Sequence, residues 1–299
     1  MINILTTTAV RLFSENSKSI MRELSLGVAA LLLGALLGTC TFAQEKRSVT
    51  EKEIKVYNDI EEEFPSPFLR AIVTGYTWIV ETMLRNGESP NVKDGSEMRL
   101  TPILVAAVYR KDDILKLLVK HGAKVDSKDE SGMNALLYAC ERDNLNQVGF
   151  LLKAGAQVNS QNSSGLSCQI YAASMGRLSL LKLLLSENAD VNLQTERGAT
   201  PLMVAVDNVD IVETLIKSGA KVDIQDANGR TALYMALLNK DLKKVGVLLR
   251  YCAKTDLPDK SGTTPLDMVE EMKNGLDGPA IVRLFKPQLK MKMHVFKMW

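Results

Sequence analysis

The chain has 299 residues, a formal net charge of +2 at pH 7, 24% charged residues and two histidines. A charge this close to neutral argues against a dedicated nucleic-acid binder or a protein held on acidic lipid by charge, because both need a clustered excess of cations. Neither histidine has a second one within metal-ligand spacing, and the glycines fall singly, so the sequence also argues against histidine metal sites and phosphate-cradling loops.

Residues 1–43 form a predicted signal peptide or amino-terminal membrane anchor. From Leu24 to Gln44 there is no charged residue, the stretch is rich in leucine and alanine, and Arg22 precedes it. Its second half ends at Ala43 with small residues of the kind that a signal peptidase reads. We therefore expect export to the periplasm or cell envelope of a bacterium, with a mature chain that begins at Gln44.

Three alternatives stay open for this segment. About 20 uncharged residues also suffice to span a bilayer, so residues 24–43 could instead be retained as an inner-membrane tether. Cys40 could carry a lipid, although Thr39 before it fits the usual lipoprotein pattern poorly. Met21 could be the true start, because the Arg-led segment that it begins would make a compact signal peptide by itself.

Charged segments flank the central part of the chain. Residues 44–65 are dense in charge and are predicted to form a helical spacer from Val49 to Phe64, with a remnant of the leader as the alternative. The carboxy-terminal tail, residues 287–299, is basic and carries several apolar side chains. It could touch an anionic membrane, but we expect it to fold back over the helix that precedes it.

The central part of the chain is organised by a period of about 33 residues. One landmark is a threonine-like residue: Thr101, Asn134, Ser167, Thr200, Thr231 and Thr264. The other is a small pair: Gly122-Ala123, Gly155-Ala156, Asn188-Ala189, Gly219-Ala220 and Cys252-Ala253. Both landmarks shift together where one period loses two residues. A chain of this kind is a stack of small units, each of which needs its neighbours to cover its apolar face.

Each period indicates two short helices and a turn. In the second period, Thr101 caps a helix that begins at Pro102 and contains small alanines. A second helix with an apolar face covers residues 114–119, and Gly122 ends it in a left-handed conformation. Asp-x-x-Gly segments such as residues 129–132 then turn the chain into the next period.

These residues resemble the ankyrin-repeat family. The resemblance covers residues 66–286 and rests on Thr-Pro-Leu-like helix starts and Gly-Ala helix ends that recur in register. It implies an all-α solenoid of stacked helix–turn–helix units, joined by hairpin turns and closed by terminal caps. The seven predicted repeats, numbered one to seven below, are residues 66–93, 99–127, 132–160, 165–193, 198–224, 229–257 and 262–286.

Repeat five departs from the pattern. It lacks two residues between Ala205 and Ile211, where its two helices join. Its first helix is therefore predicted to be about half a turn short, and we expect this seam to be the weakest in the stack.

The cysteines are predicted to be unpaired. Cys140 and Cys168 take the places of a small helix residue and a helix-start proline, and neither position is a cysteine in another repeat. Equivalent positions in adjacent repeats lie roughly 10 Å apart, which is beyond the reach of a disulfide. Both are therefore expected to be small buried fillers rather than a bridge.

Function follows from the resemblance. No serine or cysteine is accompanied by an activating histidine, and no pair of carboxylates converges, so we expect no enzymatic activity and no cofactor. The resemblance implies a monomeric protein-interaction module whose partner, another protein, binds the concave face formed by turn tips and first helices. The alternatives are a membrane-anchored cytosolic scaffold and a periplasmic accessory protein that supports an enzyme.

Candidate contact residues are those that the resemblance places on the concave face. Apolar ones concentrate in repeats two to four, where Tyr109 and Met133 are predicted anchors and Arg142 a polar clamp. The alternative is that these side chains fold onto the next repeat as core. The full set is Glu97, Met98, Val108, Tyr109, Glu130, Met133, Arg142, Leu166, Met175, Arg197, Asn208 and Arg230.

Overall fold

The computed structural model describes residues 66–93, 95, 99–205, 208–275 and 278–286. The predicted leader or anchor, the predicted spacer and the predicted tail lie outside these residues. Every regular element in the described ranges is an α-helix, which confirms the predicted all-α class. The helices are α1 Pro67–Thr74, α2 Thr77–Arg85, α3 Pro102–Val108, α4 Asp112–Lys120, α5 Ala135–Glu141, α6 Leu145–Lys153, α7 Cys168–Ser174, α8 Leu178–Ser186, α9 Pro201–Val204, α10 Val209–Lys217, α11 Ala232–Leu238, α12 Leu242–Arg250, α13 Pro265–Met272 and α14 278–286.

The threonine-like residues begin the first helix of their repeats, as predicted. Five side chains accept a hydrogen bond from the backbone N–H three residues later: Asn134, Ser167, Thr200, Thr231 and Thr264. Thr101 occupies the same position but makes no such side-chain bond. Each cap satisfies an N–H that the helix itself leaves without an acceptor, which contributes about 1 kcal/mol.

The helices belong to two compact units. The first compact unit contains α1–α4 from residues 66–95 and 101–124, and the second contains α5–α14 from residues 125–286. Inside each unit, first helices pack on first helices and second helices on second helices, as α1 does on α3 and α5 on α7. Leucine, isoleucine, valine and alanine side chains fill the interior between successive layers of a unit, so each repeat shares its core with its neighbours in the same unit.

Two series of hydrogen bonds connect neighbouring turns in the second compact unit. Backbone N–H groups of one hairpin turn donate to carbonyl oxygens of the turn before it, as Ser163 does to Ser131 over 3.0 Å and Ala227 to Arg197 over 2.9 Å. In a second series, a side chain accepts a hydrogen bond from the backbone of the next repeat, as Asn159 does from the N–H of Asp190 at 2.9 Å. These bonds hold the turn tips in one row beside the first helices.

The first helix of repeat five is short, which confirms the prediction. Helix α9 has 4 residues, whereas α5, α7 and α11 each have 7. A buried lysine donates hydrogen bonds to the carbonyl oxygens at the end of α9. Lys244 of α12 is 4% exposed, and its Nζ donates to the carbonyl oxygens of Met203 and Ala205, both at 2.9 Å. The equivalent position in α8 is the apolar Leu180, so the lysine compensates for helical hydrogen bonds that α9 does not make.

The prediction for Cys140 and Cys168 is wrong in one respect. Both side chains are fully buried, as expected, but they form a disulfide with the two Cα atoms 5.4 Å apart. The estimate of about a helix diameter holds for equivalent positions in adjacent repeats. These two are separated by 28 residues rather than 33, and the first residue of α7 lies against the middle of α5, where the Cys168 sulfur is 3.6 Å from the carbonyl oxygen of Leu136. The bridge therefore joins repeats three and four.

Candidate protein-binding face

The first helices of the second compact unit share one partly exposed side, called here the inner-helix face. It is formed by α5, α7, α9 and α11, which pack on one another in that order, and by the turns that precede them. The fourth residue of each helix is large, apolar or aromatic, and half-buried: Tyr138, Tyr171, Val204 and Met235. These side chains form a row along the middle of the face.

Repeats three and four contribute a tyrosine cluster to this row. The Tyr138 hydroxyl donates to Oδ2 of Asp129 over 2.6 Å, and the Tyr171 hydroxyl lies 3.8 Å from the Met133 sulfur. Burial, followed by the bond to Asp129, raises the pKa of Tyr138 above its ordinary value. Burial, followed by the charge of Glu141, raises the pKa of Tyr171. Both phenols are therefore neutral at physiological pH and present rigid, amphipathic rings.

Met133 is not an exposed anchor. Its side chain is 6% exposed and lies under the hydroxyl of Tyr171 and the amide of Asn162, whose Nδ2 is 3.5 Å from the sulfur. Sequence position alone could not distinguish a turn residue that points outward from one that packs under the next repeat. For Met133 the interior alternative is the correct one, and the exposed aromatic surface above it belongs to Tyr171.

The edge of the face beside α5 and α7 carries the other candidates from repeats three and four. Met175, the residue after α7, is 46% exposed, and Arg142 occupies the same position after α5 and is exposed. Leu166, in the turn before α7, is half-buried. The structure therefore brings an exposed methionine, two half-buried tyrosines and an exposed arginine to one side of these two repeats.

Repeats five and six present a more polar surface. Arg230 binds Asp226 through Nη2 at 2.7 Å and Nε at 2.9 Å. Burial opposes ionisation of Asp226, but the hydrogen bonds from Arg230 and from the backbone N–H of Asn228, together with the Arg230 charge, outweigh it and hold the pKa of this carboxyl below its ordinary value. Arg197 is exposed at the preceding turn. Asn208 is half-buried and caps α10 by accepting from the N–H of Asp210 at 3.1 Å, which gives it a structural role.

The remaining candidates divide between the two compact units. Val108 and Tyr109 are half-buried at the end of α3 in the first compact unit. Glu130 is exposed in the second and forms an ion pair with Arg99 at 3.1 Å. Glu97 and Met98 lie outside the described residues.

Sequence reasoning did not select the central row of the face. It considered turn tips and the last positions of each first helix, and so did not include Tyr138, Tyr171 or Met235. The sequence signal that could have found them is side-chain size. The fourth position of the first helix holds tyrosine or methionine in three repeats, whereas the repeat pattern favours small residues close to the helix–helix contact.

Among the described residues, neither a metal-ligating cluster nor a membrane-spanning helix is found. No group of three or more histidine, cysteine, aspartate or glutamate side chains is placed to hold a metal ion within the described ranges. In those same ranges, no helix combines the length and apolar character that a bilayer crossing requires. The predicted tether, residues 24–43, is outside them.

The architecture agrees with a family model for ankyrin repeats in three copies, which matches residues 68–162, 158–226 and 207–274. The matched segments overlap and together cover residues 68–274, which contain helices α1 to α13 apart from Pro67. The chain belongs to the ankyrin-repeat family. Its fold is an all-α solenoid of stacked ankyrin repeats.

Individual relatives match parts of this ankyrin-repeat protein. It is 34% identical to M-phase phosphoprotein 8 of Rattus norvegicus and of Homo sapiens over 85 residues, which are 28% of this chain and 10% of the relative. It is 38% identical to the ankyrin repeat-containing protein P1E11.10 of Schizosaccharomyces pombe over 68 residues, 23% of this chain and 31% of the relative. The chain thus spans about a tenth to a third of these relatives.

A solved structure covers more of the array. The crystal structure of the ankyrin repeat domain of Bcl-3, described as a unique member of the IkappaB protein family, is similar with a TM-score of 0.61 and 27% identity. The match covers 68% of this chain and 93% of the Bcl-3 chain. An ankyrin repeat domain is a scaffold for protein–protein interaction, and this is the general class to which the present array belongs.

Proposed function

We propose that this ankyrin-repeat protein binds another protein through the inner-helix face of repeats three and four, without catalysing a reaction. The observation that carries the proposal is the exposed Met175 next to a helix that presents Tyr171. Tyrosine supplies a large, rigid contact area at a modest cost in conformational entropy, and methionine supplies a flexible apolar side chain that adapts to the partner. Both residue types are enriched at protein–protein interfaces. Arg142 supplies a charge at the rim of the same patch.

The disulfide supports this location for the contact surface. Cys140 and Cys168 connect α5 to α7, the two helices that carry Tyr138 and Tyr171. A rigid platform binds a partner with a smaller entropic cost than one that must be ordered on binding. The bridge therefore favours repeats three and four as the preorganised part of the face.

A photo-crosslinking amino acid tests the proposal in the organism that makes the protein. Placed at Met175, it should form one dominant crosslink to a partner, identified by mass spectrometry. The matched control is Leu145 on α6, which is 38% exposed but lies on a second helix. Met175→Ala should change the free energy of unfolding by less than about 0.5 kcal/mol, since the side chain is half-exposed. The same substitution should reduce the yield of a crosslink formed by the photo-crosslinking amino acid placed at position 142. Equal crosslinking from positions 175 and 145 would contradict the proposal.

For the compartment, we propose export to an oxidising environment, the periplasm or cell envelope in the case of a bacterial chain. The leader pattern in residues 1–43 motivates the proposal, and the buried disulfide supports it. Thiols of cytosolic proteins are kept reduced, so a cytosolic scaffold would rarely retain this bridge. Determining the first residue of the mature protein and the oxidation state of Cys140 in rapidly acid-quenched cells tests it. An intact leader together with reduced thiols would favour the cytosolic scaffold.

A further inference from the structure

The short first helix of repeat five opens a cleft on the inner-helix face, called here the short-helix cleft. It has a volume of about 500 Å³ and lies between the end of α9 and the adjoining part of α11. Helix α9 is three residues shorter than α11, 4 against 7, which removes about 4.5 Å of helix from this side. Met203, Val204 and Met235 contribute apolar side chains to its wall.

Polar contacts form the floor of the cleft. The buried ammonium of Lys244 donates to the carbonyl oxygens of Met203 and Ala205, and these bonds fix the end of α9 relative to α12. Asp241 at the start of α12 accepts from the backbone N–H of Lys244 at 2.9 Å. The floor of the cleft is therefore a hydrogen-bonded junction between the end of α9 and the start of α12.

The charged side chains at the rim of the cleft differ in whether they form ion pairs. Asp226 and Arg230 neutralise each other, since both Nη2 and Nε of Arg230 contact the Oδ2 atom of Asp226. Arg197 also lines the cleft, is exposed, and forms no ion pair with any described residue. Lys244 and Asp241 also line the cleft, so its lining carries three cations against two carboxylates. The cleft therefore combines an apolar wall with a net positive charge, and Arg197 is its exposed cation outside any ion pair of the described residues. A ligand that complements it has an apolar group next to a carboxylate.

We propose that the short-helix cleft receives an apolar side chain of the partner protein that adjoins an aspartate or glutamate residue. The apolar group lies against Met203, Val204 and Met235, and the carboxylate pairs with Arg197. The inference rests on the proposed function, since it describes a second contact of the same partner-binding face. It adds a chemical specificity: the partner segment is acidic and apolar in adjacent positions.

Three capped tripeptides test the cleft directly on the whole mature protein. The probe Ac-Asp-Leu-Asp-NH2 carries both features, Ac-Asn-Leu-Asn-NH2 lacks the charge, and Ac-Asp-Ala-Asp-NH2 lacks most of the apolar group. With methyl-labelled methionine, titration by NMR should shift the Met203 and Met235 signals with the first peptide. We expect the neutral peptide to bind about threefold more weakly, and the alanine peptide about tenfold more weakly. Equal affinity for all three peptides, or unmoved Met203 and Met235 signals, would overturn the inference.

A pair of variants separates the role of Arg197 from general charge. Arg197→Gln should abolish the preference for the acidic peptide and leave binding of the neutral peptide unchanged. Lys243→Gln removes the same charge from an exposed site on α12 outside the cleft and should leave the preference intact. A preference that survives Arg197→Gln would refute the assignment. Failure of the peptides combined with a crosslink from position 175 would refute the cleft and spare the proposed function.

Discussion

The close stacking of hairpin turns makes a quantitative prediction about Gly198. Its φ is +76°, and a Cβ added there would lie 2.8 Å from the backbone nitrogen of Ala227 and 3.0 Å from Cα of Asp226 in the neighbouring turn. Gly219 has a similar φ of +93° but nothing within 4 Å of the corresponding Cβ. The two glycines thus share the conformational requirement and differ in their surroundings.

The expected cost of Gly198→Ala has two parts. Left-handed backbone costs an alanine about 1 kcal/mol, and this part also applies to Gly219→Ala. At Gly198 the methyl group must also displace the backbone of the next turn, which overpacks the contact and strains the 2.9 Å bond from the Ala227 N–H to the Arg197 carbonyl. This second part is about 1–3 kcal/mol. We therefore expect Gly198→Ala to lower the free energy of unfolding by about 2–4 kcal/mol and Gly219→Ala by about 1 kcal/mol.

Urea unfolding followed by circular dichroism measures both variants. The comparison uses the midpoint at unchanged slope, because a changed slope would show that the repeats no longer unfold together. If the two substitutions cost the same, close stacking of the turns would not be a source of stability, and the reasoning from the added Cβ would be refuted.

Three further predictions concern other parts of the array. Replacing Cys140 and Cys168 by alanine should lower the free energy of unfolding by about 3–4 kcal/mol, because the bridge closes a loop with a separation of 28 residues. Cys252→Ser, at an exposed free thiol, should change it by less than about 0.5 kcal/mol. Similar urea midpoints for the two variants would contradict this prediction. The pKa of Asp259 is lowered to about 2, first by the hydrogen bond from the Ser261 hydroxyl, so its carboxylate contributes stability above roughly pH 4 that is lost as the pH falls through about 2. As the pH falls, the urea midpoint of the native chain should therefore approach that of Asp259→Asn. A constant difference between the two midpoints across this pH range would refute the role given to the Asp259 carboxylate. Amide exchange should be faster at residues 206–210 than in α5, because α9 has a single turn; equal protection would show that this seam is not weak.

The sequence predicted the architecture because its signals are local and repeated. A cap such as Thr200, a helix-start proline and a helix-ending glycine each act within a few residues of their own position. Repetition of these signals in register along the array leaves little freedom for another fold. The shortened α9 was also predictable, because the two missing residues fall between Ala205 and Ile211, at the end of this helix.

Only the tertiary structure decided which side chains meet across repeats. The bridge between Cys140 and Cys168 joins positions that differ within the period, and Met133 is covered by Tyr171 from the next repeat. The buried Lys244 donates a hydrogen bond to the carbonyl oxygen of Met203, a residue 41 positions earlier in the chain at the end of the short helix α9. Such contacts depend on the offset between neighbouring layers. A one-dimensional period fixes the spacing of the layers along the chain but not the rotation and slide that bring particular atoms together.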